Sequence, residues 1–168
     1  MISEKNTISN FYNYKTFKSI GKNSNIITFA FYGASSNSIS GDDVKLSERL
    51  YVPSNKLRGF ESGKVGPKDE DEFIGGNYIS TINVASTLPQ LFPNSQNLEM
   101  SVFFDAANIW GIDYSDTLDN SNKIRSSIGV AFNWFTPIGP LNFSLAETIS
   151  KATSDKEESF RFNLGTTF

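Results

Sequence analysis

The sequence predicts an all-β protein, an antiparallel up-and-down transmembrane β-barrel that is incomplete in this chain. Three observations lead there. Seven segments read as strands, most of them alternating apolar and polar residues with period two, and none carries the 3.6-residue period of a helix. Their connections alternate between short and long, the pattern of an outer-membrane barrel, where turns lie on one side and loops on the other. The last segment keeps one apolar parity, weak only at Thr166, up to a terminal aromatic residue. Seven is an odd count, whereas bacterial single-chain barrels are even-numbered and start at about eight strands, so the chain reads as part of a barrel.

The first segment, residues 7–19, alternates poorly. The second, residues 25–32, sets Ile27, Phe29 and Phe31 against Thr28 and Ala30. A polar stretch over residues 33–73 follows, long enough to be functional or disordered in a compact domain. Beyond it, Tyr78, Ile82 and Val84 alternate with Ile79, Thr81, Asn83 and Ala85. Leu98, Met100, Val102 and Phe104 then alternate with Glu99, Ser101, Phe103 and Asp105. The clearest case is Ile124, Ser126, Ile128, Val130, Phe132 and Trp134 against Arg125, Ser127, Gly129, Ala131, Asn133 and Phe135. Thr136-Pro137-Ile138-Gly139-Pro140 is a tight turn, after which Leu141, Phe143 and Leu145 alternate with Asn142, Ser144 and Ala146. In the closing segment Phe160, Phe162, Leu164 and Phe168 oppose Arg161, Asn163, Gly165 and Thr167. Taken alone, that segment suits a soluble sandwich or lipocalin-like barrel equally well.

Composition narrows the function classes. A 38% hydrophobic content and a mean hydropathy of -0.30 fit a soluble protein, and equally a barrel whose polar lumen positions dilute its lipid-facing ones. No stretch approaches the roughly 20 apolar residues of a spanning helix. The 15 Phe and 6 Tyr suit interfacial girdles or a β-rich core. The chain has neither His, the commonest general base and metal ligand, nor Cys, and its net charge of -3 gives no footprint for nucleic acid. Met1-Ile2-Ser3-Glu4-Lys5-Asn6 has no basic head or apolar core, so it does not read as a secretory signal. The expectation is a chain that is not exported, or the tail of a longer one.

No catalytic set assembles, and neither enzyme activity nor a cofactor is expected. Asp69-Glu70-Asp71-Glu72 reads as solvated surface. Asp113, Asp116 and Asp119 are spaced faintly like calcium ligands but lack the Gly and closing Glu of a calcium loop, so no metal site is expected. Two features remain: Leu57-Arg58-Gly59-Phe60 with Val65-Gly66-Pro67 in the long loop, and Asp105 on the inward parity of its strand.

Together with Gly75-Gly76-Asn77, Phe104-Asp105-Ala106-Ala107-Asn108-Ile109-Trp110, Trp134-Phe135-Thr136-Pro137-Ile138-Gly139-Pro140-Leu141 and the segment 160–168, these motifs occur in the order of the BamA family. The resemblance is continuous from about residue 57 to 168. It implies that residues 1–168 are the C-terminal seven strands of a sixteen-stranded barrel, without the periplasmic POTRA repeats and the first nine strands. The loop over about residues 33–73 then folds back into the lumen, where Arg58 meets Asp105. A guanidinium suits a carboxylate in a confined lumen, Gly59 permits a sharp turn, and Phe60 can anchor against the inner wall. Two departures stand out. Ala107 occupies a usual Gly position, and Ala85 falls where a lumenal Glu is frequent, leaving Arg58 one carboxylate partner.

The resemblance further implies a non-enzymatic insertase in the outer membrane of a Gram-negative bacterium. Its partners are outer-membrane lipid, assembly lipoproteins bound through the periplasmic region, and unfolded outer-membrane proteins. The C-terminal strand, with Phe160, Phe162, Leu164 and Phe168, serves as assembly signal and as one side of a lateral gate. A TamA-like or two-partner secretion pore of the same superfamily is the alternative reading, and a soluble β-barrel ligand-binder is a third.

Overall fold

The computed structural model describes residues 7–20, 25–88, 97–115, 117–118, 123–137 and 139–164. In chain order its strands are β1 (Thr7–Ile20), β2 (Asn25–Ser38), β3 (Gly59–Phe60), β4 (Lys68–Asp69), β5 (Glu72–Phe73), β6 (Tyr78–Thr87), β7 (Leu98–Trp110), β8 (Arg125–Thr136), β9 (Gly139–Ser150), β10 (Glu157–Glu158) and β11 (Phe160–Leu164). Seven of them form one antiparallel, unclosed sheet in the order β1-β2-β6-β7-β8-β9-β11. Every neighbour in the sheet is also the next long strand in sequence, which is an up-and-down meander. Its first six strands run 10–14 residues, long enough to cross a bilayer at a tilt. Among the described residues no helix is long and apolar enough to cross a membrane.

The register makes the two faces continuous across the sheet. Asn83, Asp105 and Ser127 stand opposite one another on the inner parity, while Val84, Phe104 and Ile128 share the outer one. Outer-parity side chains remain exposed although apolar, among them Ile82, Val102, Phe104, Ile128, Leu145, Ile149 and Phe162. An apolar face of this extent is unfavourable against water and suits lipid. Aromatic pairs mark both rims of this face. Tyr78 stacks on Trp110 at the long-loop end, with centroids 5.7 Å apart, and Phe143 meets Phe162 at 5.0 Å toward the short-turn end, where Trp134 also lies exposed.

The inner face is covered by the chain itself. The connection between β2 and β6 enters the concave side, and Val52, Leu57, Phe60 and Val65 form one buried cluster with Ala34, Ile79, Ala107 and Ile109 of the sheet. Ala107 therefore packs where a glycine would leave the cluster one methyl short.

Several boundaries differ from the sequence reading. The second strand continues to Ser38, so the loop begins at residue 39 instead of 33 and holds three short strands and a 3-10 turn at Leu46–Glu48. Residues 33–38 lack large apolar side chains on the outer parity, which hides the alternation, while Ala34 and Ser36 on the inner parity are buried. The fourth long strand continues past Asp105 to Trp110, and the sixth past Ala146 to Ser150. Of the terminal segment, Phe160–Leu164 is strand; Phe168 lies outside the described residues.

Candidate functional site

Asp105 occupies the middle of β7 on the inner face, with no exposed surface. Its carboxylate accepts from Arg58 Nε at 2.7 Å, Arg58 Nη2 at 2.8 Å and the Arg58 backbone N–H at 3.1 Å. Asn83 Nδ2, opposite it on β6, donates at 2.8 Å and also reaches the Lys56 carbonyl at 2.7 Å. A buried charge is tolerable under these conditions, because it is paired and its oxygens are filled. The Arg58 guanidinium also lies over the Phe103 ring, 3.4 Å from its centroid.

Two glycines make this packing possible. Gly129 faces Phe103 in the register, and a Cβ there would come within 2.6 Å of Phe103 Cζ and 2.1 Å of the Leu145 carbonyl oxygen. The ring under Arg58 thus fills space that only glycine leaves. Gly59 has φ +87°, a left-handed conformation that turns the loop directly after Arg58. The carbonyls exposed by that turn are taken up by the wall. Ser127 Oγ donates to the Arg58 carbonyl at 2.5 Å, and Thr148 Oγ1 to that of Gly59 at 3.2 Å. Phe60 follows, 1% exposed.

Two further arginines hold the same loop, and sequence reading singled out neither. Arg125 on β8 pairs with Asp155 at 2.9 Å, both side chains fully buried, and Asp155 Oδ1 also accepts from the Gly66 N–H at 3.1 Å. Arg161 on β11 donates to the carbonyls of Ser54 and Phe60 and to Glu158. Each occupies an inward position that alternation alone marks only as polar. Ala85 faces Phe103 in the register, and Asp105 is the carboxylate paired with Arg58 among the described residues.

Below the loop, Lys15, Lys56, Arg58, Asn83, Asn133, Asn142 and Arg161 border a cavity of about 370 Å³. Burial, and then the like charge of Lys15, hold the Lys56 ammonium below the usual lysine range, with Asp105 opposing. Asp113 accepts from the Val44 N–H at 2.7 Å and Asn77 Nδ2 at 2.5 Å, fastening both ends of the loop; Asp116 and Asp119 lie outside the described residues. In the acidic run, Asp69 accepts from Tyr114 and Asp71 pairs with Lys68 at the surface. Among the described residues no group of three or more His, Cys, Asp or Glu could hold a metal ion.

A meander with an apolar outer face and a loop pinned into its concave side has direct counterparts. A family profile described as the Omp85 superfamily domain matches residues 5–168. The chain belongs to the Omp85 superfamily. Its relatives include the outer membrane protein assembly factor BamA of Neisseria meningitidis serogroup B, 34% identical over 143 residues, covering 67% of this chain and 17% of that protein. BamA of Neorickettsia risticii is 26% identical over 132 residues, covering 77% of this chain and 18% of that protein. The chain thus spans less than a fifth of the length of these relatives. Among solved structures, BamA from Haemophilus ducreyi lacking POTRA domains 1–3 matches with a TM-score of 0.84 and 28% identity, over 95% of this chain and 35% of that one. This Omp85 sheet is therefore an outer-membrane barrel segment.

In that frame the sequence-predicted residues fall into two groups. Arg58, Gly59, Phe60 and Asp105 meet inside. Phe160, Phe162 and Leu164 lie on the outer parity of β11, paired with Leu145, Phe143 and Leu141 of β9.

Proposed function

We propose that this chain is part of a non-enzymatic outer-membrane insertase, a barrel that folds and inserts other outer-membrane proteins by offering them a strand edge. The observation that carries the reading is the match of this sheet, with its loop pinned against the inner face, to BamA barrels. Within the sheet β11 pairs with β9 over Phe160–Leu164. A strand edge presents backbone donors and acceptors that template another strand, and the apolar parity of Phe160, Phe162 and Leu164 sets which face of that strand meets lipid. The pinned loop packs against the inner face of the sheet. Insertion needs only strand pairing and apolar burial, so no cofactor or metal enters. The partners on this reading are unfolded outer-membrane proteins, and assembly lipoproteins bound outside this segment.

The test is site-specific photocrosslinking in the full-length protein that carries this chain. Probes at Phe162 and Leu164 should capture an inserting outer-membrane protein, whereas a probe at Ile128, in the middle of the sheet, should not. Equal capture at all three sites overturns edge pairing. Substrate passing to the far side of the membrane without being inserted would assign a secretion pore instead.

A further inference from the structure

Arg161 sits on the inward parity of β11, opposite Ser144 of β9, with a side chain only 11% exposed. Its guanidinium reaches three residues at once. Nη1 donates to the Ser54 carbonyl at 2.5 Å, Nη2 to the Phe60 carbonyl, and Nε to Glu158 at 2.7 Å. Ser54 and Phe60 lie on either side of Arg58. Glu158 belongs to β10, which pairs with β3 in the same loop. The segment 54–60 is therefore clasped from two directions, by Asp105 of β7 through Arg58 and by β11 through Arg161.

β11 is held on its outer side by its ladder to β9 over Phe160–Leu164 and by the Phe143–Phe162 ring contact. On its inner side the hydrogen bonds from the Arg161 guanidinium tie it to two carbonyls of the loop. The planar fork of arginine is what spans the two carbonyls and the carboxylate together; a lysine ammonium, a single point charge, does not.

We propose that Arg161 is a positioning residue that couples the lumen loop to the terminal strand, so that the edge of β11 is freed only when the loop loosens. The inference deepens the insertase reading and rests on its assignment of β11 as the working edge. It makes the loop a control element: a change that disturbs Arg58 on Asp105 is transmitted through Ser54 and Phe60 to the strand, and by reciprocity a disturbance of the strand loosens the loop.

Hydrogen exchange of the full-length barrel in lipid nanodiscs tests the coupling. Arg161→Gln should speed exchange at least about tenfold in both residues 54–60 and residues 160–164. Arg161→Lys should rescue only part of the protection. Arg58→Ala should loosen β11 in the wild-type background and have no added effect on β11 in Arg161→Gln. Glu158→Gln, which weakens one of the three contacts without altering the sheet, should move both segments in the same direction by less, and it keeps the test open if Arg161→Gln fails to assemble. Loosening of β11 alone, or a loop opened by Arg58→Ala over an unchanged β11, overturns the coupling. Insertion by the wild-type protein is measured in parallel in proteoliposomes. Coupling without insertion would sink the insertase reading and leave the coupling standing, whereas insertion with no coupling would sink only the role of Arg161.

Discussion

Arg125 and Asp155 form an ion pair with neither side chain exposed, Nε to Oδ2 at 2.9 Å and Nη2 to Oδ1 at 3.2 Å. The carboxylate also accepts from the backbone N–H groups of Gly66 and Ala152, and Arg125 Nη1 donates to the Lys123 carbonyl. One buried pair thus joins β8, the lumen loop and the connection after β9.

Breaking that pair from one side should be costly. Asp155→Ala strands a guanidinium and two N–H groups, and it should destabilise the purified barrel by about 3–5 kcal/mol in urea unfolding. A loss below about 1 kcal/mol would mean that water replaces the carboxylate.

Arg58 and Asp105 should behave as one unit. In a double-mutant cycle with Arg58→Ala and Asp105→Ala, the coupling energy should fall at about 0.5–3 kcal/mol. Additive losses would contradict the bidentate contact.

Gly129→Ala should damage the site without touching a charge. Its Cβ would fall 2.1 Å from the Leu145 carbonyl oxygen, in the β9 backbone. The neighbouring strand must shift and Phe103 must leave its place under Arg58, at about 1–3 kcal/mol or more. Unchanged unfolding would mean that the strand pair yields easily.

The two parities should answer differently to charge. Val130→Arg or Phe132→Arg, toward lipid, should cost about 2–4 kcal/mol near the midplane. Asn133→Lys, which faces the lumen cavity, should cost far less. Ser127 and Ala131 are poorer lumen sites, because both are buried and Ser127 carries the Arg58 carbonyl. Equal losses on both faces would argue against a lipid-facing outer parity.

Lys56 supplies a pH test. Its pKa in the fold is lowered from 10.5 by burial first and by Lys15 second. A base with a lowered folded-state pKa destabilises the fold while protonated, and the penalty fades as pH rises through that pKa toward the unfolded value. Lys56→Met should therefore stabilise the barrel at neutral pH, with an advantage that shrinks on approaching pH 10.5. An advantage that does not change with pH would place its origin in packing.

Period-two alternation made most of the sheet legible, since Asp105, Ile128 and Phe162 take the faces their parity gives them. It failed at residues 33–38, where small polar side chains carry no contrast between faces. The Arg125–Asp155 pair was illegible for another reason. Asp155 belongs to a connection that reads as a polar loop, and its partner is 30 residues away in sequence. Arg161 likewise reads as an ordinary lumen position, because its partners in the loop are the Ser54 and Phe60 backbone carbonyls, which no side-chain pattern records.

The direction in which the lumen loop finds its anchors has a kinetic consequence. Arg58 waits for Asp105, 47 residues further on; its carbonyl waits for Ser127 at 69, and Gly59 for Thr148 at 89. Phe60 meets Arg161 across 101 residues. Contacts of such long sequence separation carry a large loop-closure entropy and form late. The loop therefore seats only on strands that have already found one another, so the wall forms before its own lumen segment is fastened into it.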